Sequence, residues 1–182
     1  FNQATKTYFD NLFSEISPES TKKIILNNTF EPFNPLRPIE TLEQAKQIIV
    51  LRDPRDIYVS GLNAYNVSAS DRGLQADDNN GINKSFLASD DLNLFVTRFK
   101  SYLTHLYKGN DTRVKIVNFE DLVLRYEETL EQIYQFLDVS DKEHTHKGAH
   151  FNPEKSRKNI GAWKTYSKQS ELNYIKEQLE LT

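Results

Sequence analysis

The segment Ile48–Ser60, IIVLRDPRDIYVS, constrains this chain more than any other. Gln47–Leu51 (QIIVL) is a continuous apolar run rich in β-branched residues, which predicts a strand buried on both faces of a parallel sheet. Arg52 follows at the mouth of that strand. Asp53 is suited to cap the next helix and Pro54 to occupy its first turn. Ile57, Tyr58, Gly61, Leu62 and Tyr65 then recur at helical spacing, predicting a helix from Pro54 to about Tyr65. A buried strand that turns straight into a helix is half of a βαβ unit.

The rest of the chain fits that unit. Tyr8, Phe9, Leu12, Phe13 and Ile16 predict an amphipathic helix over Phe1–Ile16, ending before Pro18. Lys22–Asn27 (KKIILN) reads as a short strand, the proline-rich stretch Glu31–Pro38 as loop, and Thr41–Lys46 as a short helix. Asn66–Asp91 is polar and turn-rich, as expected of a loop or mobile insertion. Leu92, Phe95, Phe99, Tyr102, Leu103 and Leu106 stripe a helix over Asp91–Lys108, and the turn Lys108–Asp111 stops it. Arg113–Asn118 (RVKIVN) is a further strand, followed by a helix over Thr129–Leu137. His144–Lys158 reads as irregular and basic, and Gln169–Leu181 as a closing helix. Three strands, each followed by helix, predict one α/β domain over 1–182 with a mostly parallel sheet flanked by helices. Ligands in such sheets bind at the carboxyl ends of strands, here Asn27, Arg52 and Asn118.

Composition removes several function classes. With 23 Lys and Arg against 26 Asp and Glu, the net charge is −3, so no overall basic field draws the chain to nucleic acid or anionic lipid. Any anion must be caught by a local constellation. The longest apolar run, Ile48–Leu51, is far too short to span a bilayer, and nothing resembles a signal peptide. The absence of cysteine excludes disulfides and thiolate chemistry, and fits a reducing cytoplasm. Asn-x-Ser/Thr triplets at Asn27, Asn66, Asn83 and Asn110 read as chance in a chain rich in these residues. The chain opens at Phe1 and has no methionine, which points to a longer or processed parent.

Three segments carry chemistry. At the first, Arg52 offers a planar fork suited to phosphate beside the unpaired N–H groups of a helix start, and Ser60 adds a hydroxyl two turns on. Arg55 is expected to pair with Asp56 or another surface carboxylate. A solvated strand-to-helix turn is the competing reading. The second segment, Phe151–Tyr166 (FNPEKSRKNIGAWKTY), gathers Lys155, Arg157, Lys158 and Lys164 around Gly161, with Trp163 and Tyr166 placed to pin the loop. Phosphate, RNA and plain solvation all suit such a cluster. At the third, Asn118–Asp121 (NFED), Phe119 is either a purine platform or core, and Glu120 and Asp121 suit a helix start.

In this order the three segments resemble the sulfotransferases that use 3′-phosphoadenosine 5′-phosphosulfate (PAPS). The family pattern R-D-x-x-D-x-x-x-S is matched by Arg52, Asp53, Asp56 and Ser60, and its F/Y-E-D-L by Phe119–Leu122 with Phe136 and Leu137 closing the next helix. The basic loop R-K-G-x-x-G-x-W-K is matched by Arg157, Lys158, Gly161, Trp163 and Lys164, with Asn159 at a family glycine and one residue fewer before Trp163. Phe119 stands where cytosolic members usually have tyrosine. The resemblance runs from about Lys22 to Tyr166. It implies a three-layer, P-loop NTPase-like fold and a 3′-phosphate site built from Arg52, Ser60, Phe119, Arg157 and Lys158. It also implies transfer of a sulfuryl group to a hydroxyl or amine, leaving 3′,5′-ADP, with no metal. The family's Lys-bearing phosphosulfate loop is not in this sequence, and its expected place is before Phe1.

No general base is assigned: the histidine found after the first strand in many relatives has no counterpart here. His144, His146 and His150 precede the basic loop, whereas His105 lies within a helical pattern. The loop Thr29–Pro38 and the polar segment Asn66–Asp91 are the expected rim of the acceptor pocket, suited to a small molecule or glycan. The competing functions are a P-loop kinase-like phosphotransferase and a non-catalytic relative acting as a binding domain.

Overall fold

The computed structural model describes residues 2–16, 25, 34–42, 44–71 and 91–181. At its centre, β1 (Gln47–Leu51) and β2 (Val114–Asn118) pair in parallel, with Gln47 opposite Val114 and Leu51 opposite Asn118. Both strands therefore end at the same level. The residues that follow them, Arg52 and Phe119, emerge side by side.

The connection between the strands is helical, as a parallel pair requires. It contains α3 (Pro54–Asp71) and α4 (Leu92–Leu106). Asp53 caps α3 by accepting the Arg55 N–H at 2.9 Å, and Asp91 caps α4 by accepting the Leu94 N–H at 3.0 Å. On α4, Phe95, Val96, Phe99, Tyr102 and Leu106 are buried at the spacing of one helix face. Aromatic rings follow one another along this face, with Tyr58 of α3 to Phe95 at 5.2 Å and tilted, Phe95 to Phe99 at 5.8 Å and stacked, and Phe99 to Tyr102 at 6.1 Å between centroids. Ile49, Tyr58, Val59, Leu172 and Ile175 complete this core. Leu172 and Ile175 belong to α8 (Gln169–Gln178), which packs on α3 and α4.

The remaining elements surround the pair. α1 (Asn2–Ile16) packs on α2 (Arg37–Thr41), and Arg113 ties α2 to β2 by donating Nη1–H to the Ile39 carbonyl at 3.2 Å. After β2 come α5 (Phe119–Leu124), α6 (Tyr126–Leu137) and α7 (Pro153–Ser156), with 3₁₀ turns at Asp141–Glu143, Arg157–Asn159 and Ala162–Thr165. No described helix is long and apolar enough to cross a membrane.

Several expectations need correction. The proline-rich stretch is not all loop: α2 starts at Arg37 with Pro38 in its first turn, where a missing N–H costs nothing, and Thr41–Lys46 is not a helix. The helix after Pro54 continues beyond Tyr65 to Asp71, so the start of the polar segment is helical; residues 72–90 lie outside the described residues. β1 is not buried on both faces. Ile49 is 6% exposed because α3, α4 and α8 cover its side, whereas Val50 on the opposite face is 51% exposed. NFED begins on the last residue of β2, Asn118, and runs directly into α5 at Phe119, whereas His144–Lys158 is not wholly irregular. The run Lys22–Asn27 lies outside the described residues except for Ile25, which is exposed, and the described sheet has two strands.

Candidate functional site

The carboxyl ends of β1 and β2 gather the motif residues. Arg52 leaves β1 with its side chain largely covered, and its guanidinium lies over the Phe119 ring, 5.0 Å from the centroid. The half-buried Phe119 ring meets Phe151 edge-on at 6.3 Å. Arg52 donates Nη2–H to the carbonyl of Asn159, so the 3₁₀ turn Arg157–Asn159 rests on the strand end. Its Nε is shielded from water and meets no acceptor among the described residues.

The basic loop is held by carboxylates spaced along the fold. Asp56, only 1% exposed, accepts the backbone N–H of Gly161 at 2.7 Å and that of Trp163 at 3.0 Å, and its Oδ2 lies 4.0 Å from Arg52 Nη2. Gly161 has φ = 71°, a left-handed conformation that a side chain disfavours; a Cβ there would come within 3.3 Å of Lys164 Cε. Further on, Tyr58 and Tyr166 both donate their hydroxyls to Oε2 of Glu171, at 3.1 and 3.0 Å, while Lys168 pairs with Oε1 at 3.1 Å. Burial pushes the Glu171 carboxyl up, but the hydrogen bonds from Lys168, Tyr166 and Tyr58 outweigh it and hold the group below the usual Glu range.

Arg55 does not pair with Asp56. It forks onto its neighbour Asp53, with Nη2 at 2.6 Å from Oδ2, and lies over the Trp163 ring at 3.9 Å. The hydrogen bond it donates to Asp53 raises the Arg55 pKa against the opposing effect of burial. The backbone N–H of Asp53 donates to Glu120 Oε1 at 3.1 Å, joining the start of α5 to the turn after β1. Glu120 and Asp121 stand in the first turn of α5, as expected of helix-start charges, and Asp121 pairs with Arg125 at 2.8 Å.

The predicted site residues are thus placed as follows. Arg52, Phe119 and the turn bearing Arg157 and Lys158 come together at the strand ends. Ser60 lies one turn past Asp56 on α3 and is exposed. Arg157 pairs loosely with Glu154 at 3.4 Å, and Lys158 is exposed. His144 is tied to the Tyr134 hydroxyl at 2.5 Å, His105 Nδ1 to the Ser101 carbonyl at 2.8 Å, and His146 and His150 are exposed. Among the described residues, no three His, Cys, Asp or Glu side chains are grouped to hold a metal ion.

Sequence reasoning missed Asp56 and Glu171 as loop anchors. For Asp56 a signal existed: it precedes the apolar Val59 by three positions, so helical periodicity turns it inward.

A family model described as "Sulfotransferase domain" matches residues 13–180. The fold is similar to that of a solved structure, the sulfotransferase domain from the curacin biosynthetic pathway. The TM-score is 0.54 at 19% sequence identity, with 97% of this chain and 68% of that one covered. No curated protein matches the chain.

Proposed function

The chain belongs to the sulfotransferase-domain family, and from that premise we propose that it transfers a sulfuryl group from PAPS to a hydroxyl or amine of an acceptor, with a carbohydrate the favoured class. The reading treats residues 1–182 as part of one sulfotransferase domain. The observation that carries it is the seating of the Arg157–Asn159 turn against Arg52, beside a buried Arg52 Nε that meets no acceptor among the described residues. A buried N–H left unpaired costs about 1–3 kcal/mol, and a phosphate oxygen lying against the guanidinium would relieve it. The residues present therefore fit a 3′-phosphorylated nucleotide.

In this reading Arg52 grips the 3′-phosphate through its planar fork, backed by the Phe119 ring. Ser60 adds a hydroxyl donor from α3. Arg157 and Lys158 are exposed and close to Arg52 through the Asn159 contact, so they bring positive charge over the same anion. When bound, PAPS supplies a sulfuryl group that passes in line to the acceptor oxygen or nitrogen, the broken S–O bond leaving its electron pair on 3′,5′-ADP. The proton lost by the acceptor requires a base, to which no residue is assigned.

The acceptor class rests on sequence polarity: Asn66–Asp91 is a polar stretch, suited to hydroxyl-rich ligands. The lack of cysteine supports a reducing compartment as the place of work.

The test is incubation with sulfur-labelled PAPS and a panel of carbohydrates, phenols and amines. Label transferred to carbohydrate and lost in Arg52→Ala supports the proposal. Transfer to phenols alone would overturn the acceptor class. Absence of both PAPS binding and transfer in the intact protein would overturn the donor.

A further inference from the structure

We propose that Asp56 is a positioning residue for the nucleotide site: its buried carboxylate seats the basic loop before ligand arrives. Arg157 and Lys158 then contribute to 3′-phosphate recognition only while that seat holds. The inference rests on the nucleotide-binding reading above and deepens it.

The geometry is specific to a carboxylate. Asp56 is buried within α3, where an unpaired charge would be strongly disfavoured. Each of its oxygens accepts one backbone N–H, Oδ2 from Gly161 and Oδ1 from Trp163, and Arg52 supplies the nearest cation at 4.0 Å. Gly161 adopts its left-handed φ at the point where the chain must turn its N–H toward Oδ2. These bonds join positions 105 and 107 residues apart and fix the loop three residues beyond Lys158.

The side chains of Arg157 and Lys158, by contrast, are exposed, and among the described residues Arg157 has only its loose pairing with Glu154. Long exposed cations have many rotamers, so whatever they contribute to an anion depends on where the backbone beneath them is held. Asp56 thus links both halves of the site, with one oxygen beside Arg52 and both oxygens on the loop.

Asp56→Asn keeps shape and removes the match. An amide has one acceptor oxygen, so in either orientation its NH₂ faces one of the two N–H donors, and the charge opposite Arg52 is gone. The test is a double-mutant cycle with Lys158→Ala, reading 3′,5′-ADP and 5′-AMP affinity by calorimetry. Alone, Lys158→Ala is expected to weaken 3′,5′-ADP binding by about tenfold, the scale of one charge-assisted contact, and to leave 5′-AMP unchanged. In the Asp56→Asn background the same change is expected to cost less than about twofold. A role of Asp56 in stability alone would leave the tenfold cost intact and would overturn the proposal. Failure of the wild type to prefer 3′,5′-ADP would instead overturn the nucleotide reading itself, and this inference with it.

Two further measurements keep the proposal testable if Asp56→Asn does not fold. Gly161→Ala disfavours the left-handed turn from the loop side and is expected to abolish the Lys158 cost in the same way. In the ligand-free wild type, the Gly161 and Trp163 amides are expected to exchange with deuterium far more slowly than an unstructured peptide. Exchange at the unstructured rate would overturn the pre-seated loop.

Discussion

The guanidinium of Arg55 lies over the face of Trp163, 3.9 Å from the ring, while its fork grips Asp53. One side chain thereby joins the start of α3 to the basic loop. Trp163 is the chain's single tryptophan, so its emission reports directly on how that loop sits.

Arg55→Ala removes both contacts and is expected to destabilise the protein by about 1–2 kcal/mol. Emission from Trp163 should move to longer wavelength as water reaches the ring. Arg55→Lys should recover little, because an ammonium lacks the planar fork that stacks and pairs together. Denaturant unfolding followed by tryptophan fluorescence reads both effects.

Glu171 makes the tether of the loop to α8 dependent on pH. Its pKa is held below that of an unfolded Glu, so the stability it confers is present above the unfolded value, about 4.3, and is lost as pH falls through the folded value. Glu171→Gln is expected to cost about 1–2 kcal/mol at pH 7, from weakened hydrogen bonds to Lys168, Tyr58 and Tyr166. The gap between variant and wild type should narrow as pH falls below the unfolded Glu value and on through the folded one. Thermal melts across that range provide the measurement.

The burial of α8 makes it part of the core. Ile175 is 0% exposed and packs in the same cluster as Phe95 and Ile49. Ile175→Ala is expected to cost about 2–5 kcal/mol, the range for a large aliphatic truncated in a closed core. Chemical denaturation should show a lower midpoint, with the 3′,5′-ADP affinity of the folded fraction little changed.

Local chemistry was legible in the sequence where neighbours along the chain determine it. The apolar run Gln47–Leu51, the Asp53 cap and the aromatic stripe of α4 follow from patterns a few residues long, and the parallel pairing from the alternation of strand and helix. Where distant segments decide the outcome, the reading failed. Of the partners open to Arg55, Asp56 is occupied by backbone more than a hundred residues away, so Arg55 takes another carboxylate, Asp53, and lies over Trp163. Glu171 sits in a polar stretch, and nothing local shows that two tyrosines converge on it. The end of α3 was misplaced because its apolar stripe ends near Tyr65 while the backbone stays helical to Asp71. Arg52, Phe119 and the turn bearing Arg157 and Lys158, singled out by the order and spacing of the motifs, lie together, and the fold supplies the carboxylate that holds that loop.

The most direct measurement is calorimetric titration of the intact protein with 3′,5′-ADP and 5′-AMP, for wild type and for Arg52→Ala. A 3′-phosphate gripped by Arg52 and covered by Arg157 and Lys158 should make 3′,5′-ADP bind at least about a hundredfold more tightly than 5′-AMP, since two charge-assisted contacts are worth that much. Arg52→Ala should remove most of the preference while leaving 5′-AMP binding near its wild-type value. Equal affinities for the two nucleotides, or a preference that survives Arg52→Ala, would contradict a 3′-phosphate site at the end of β1.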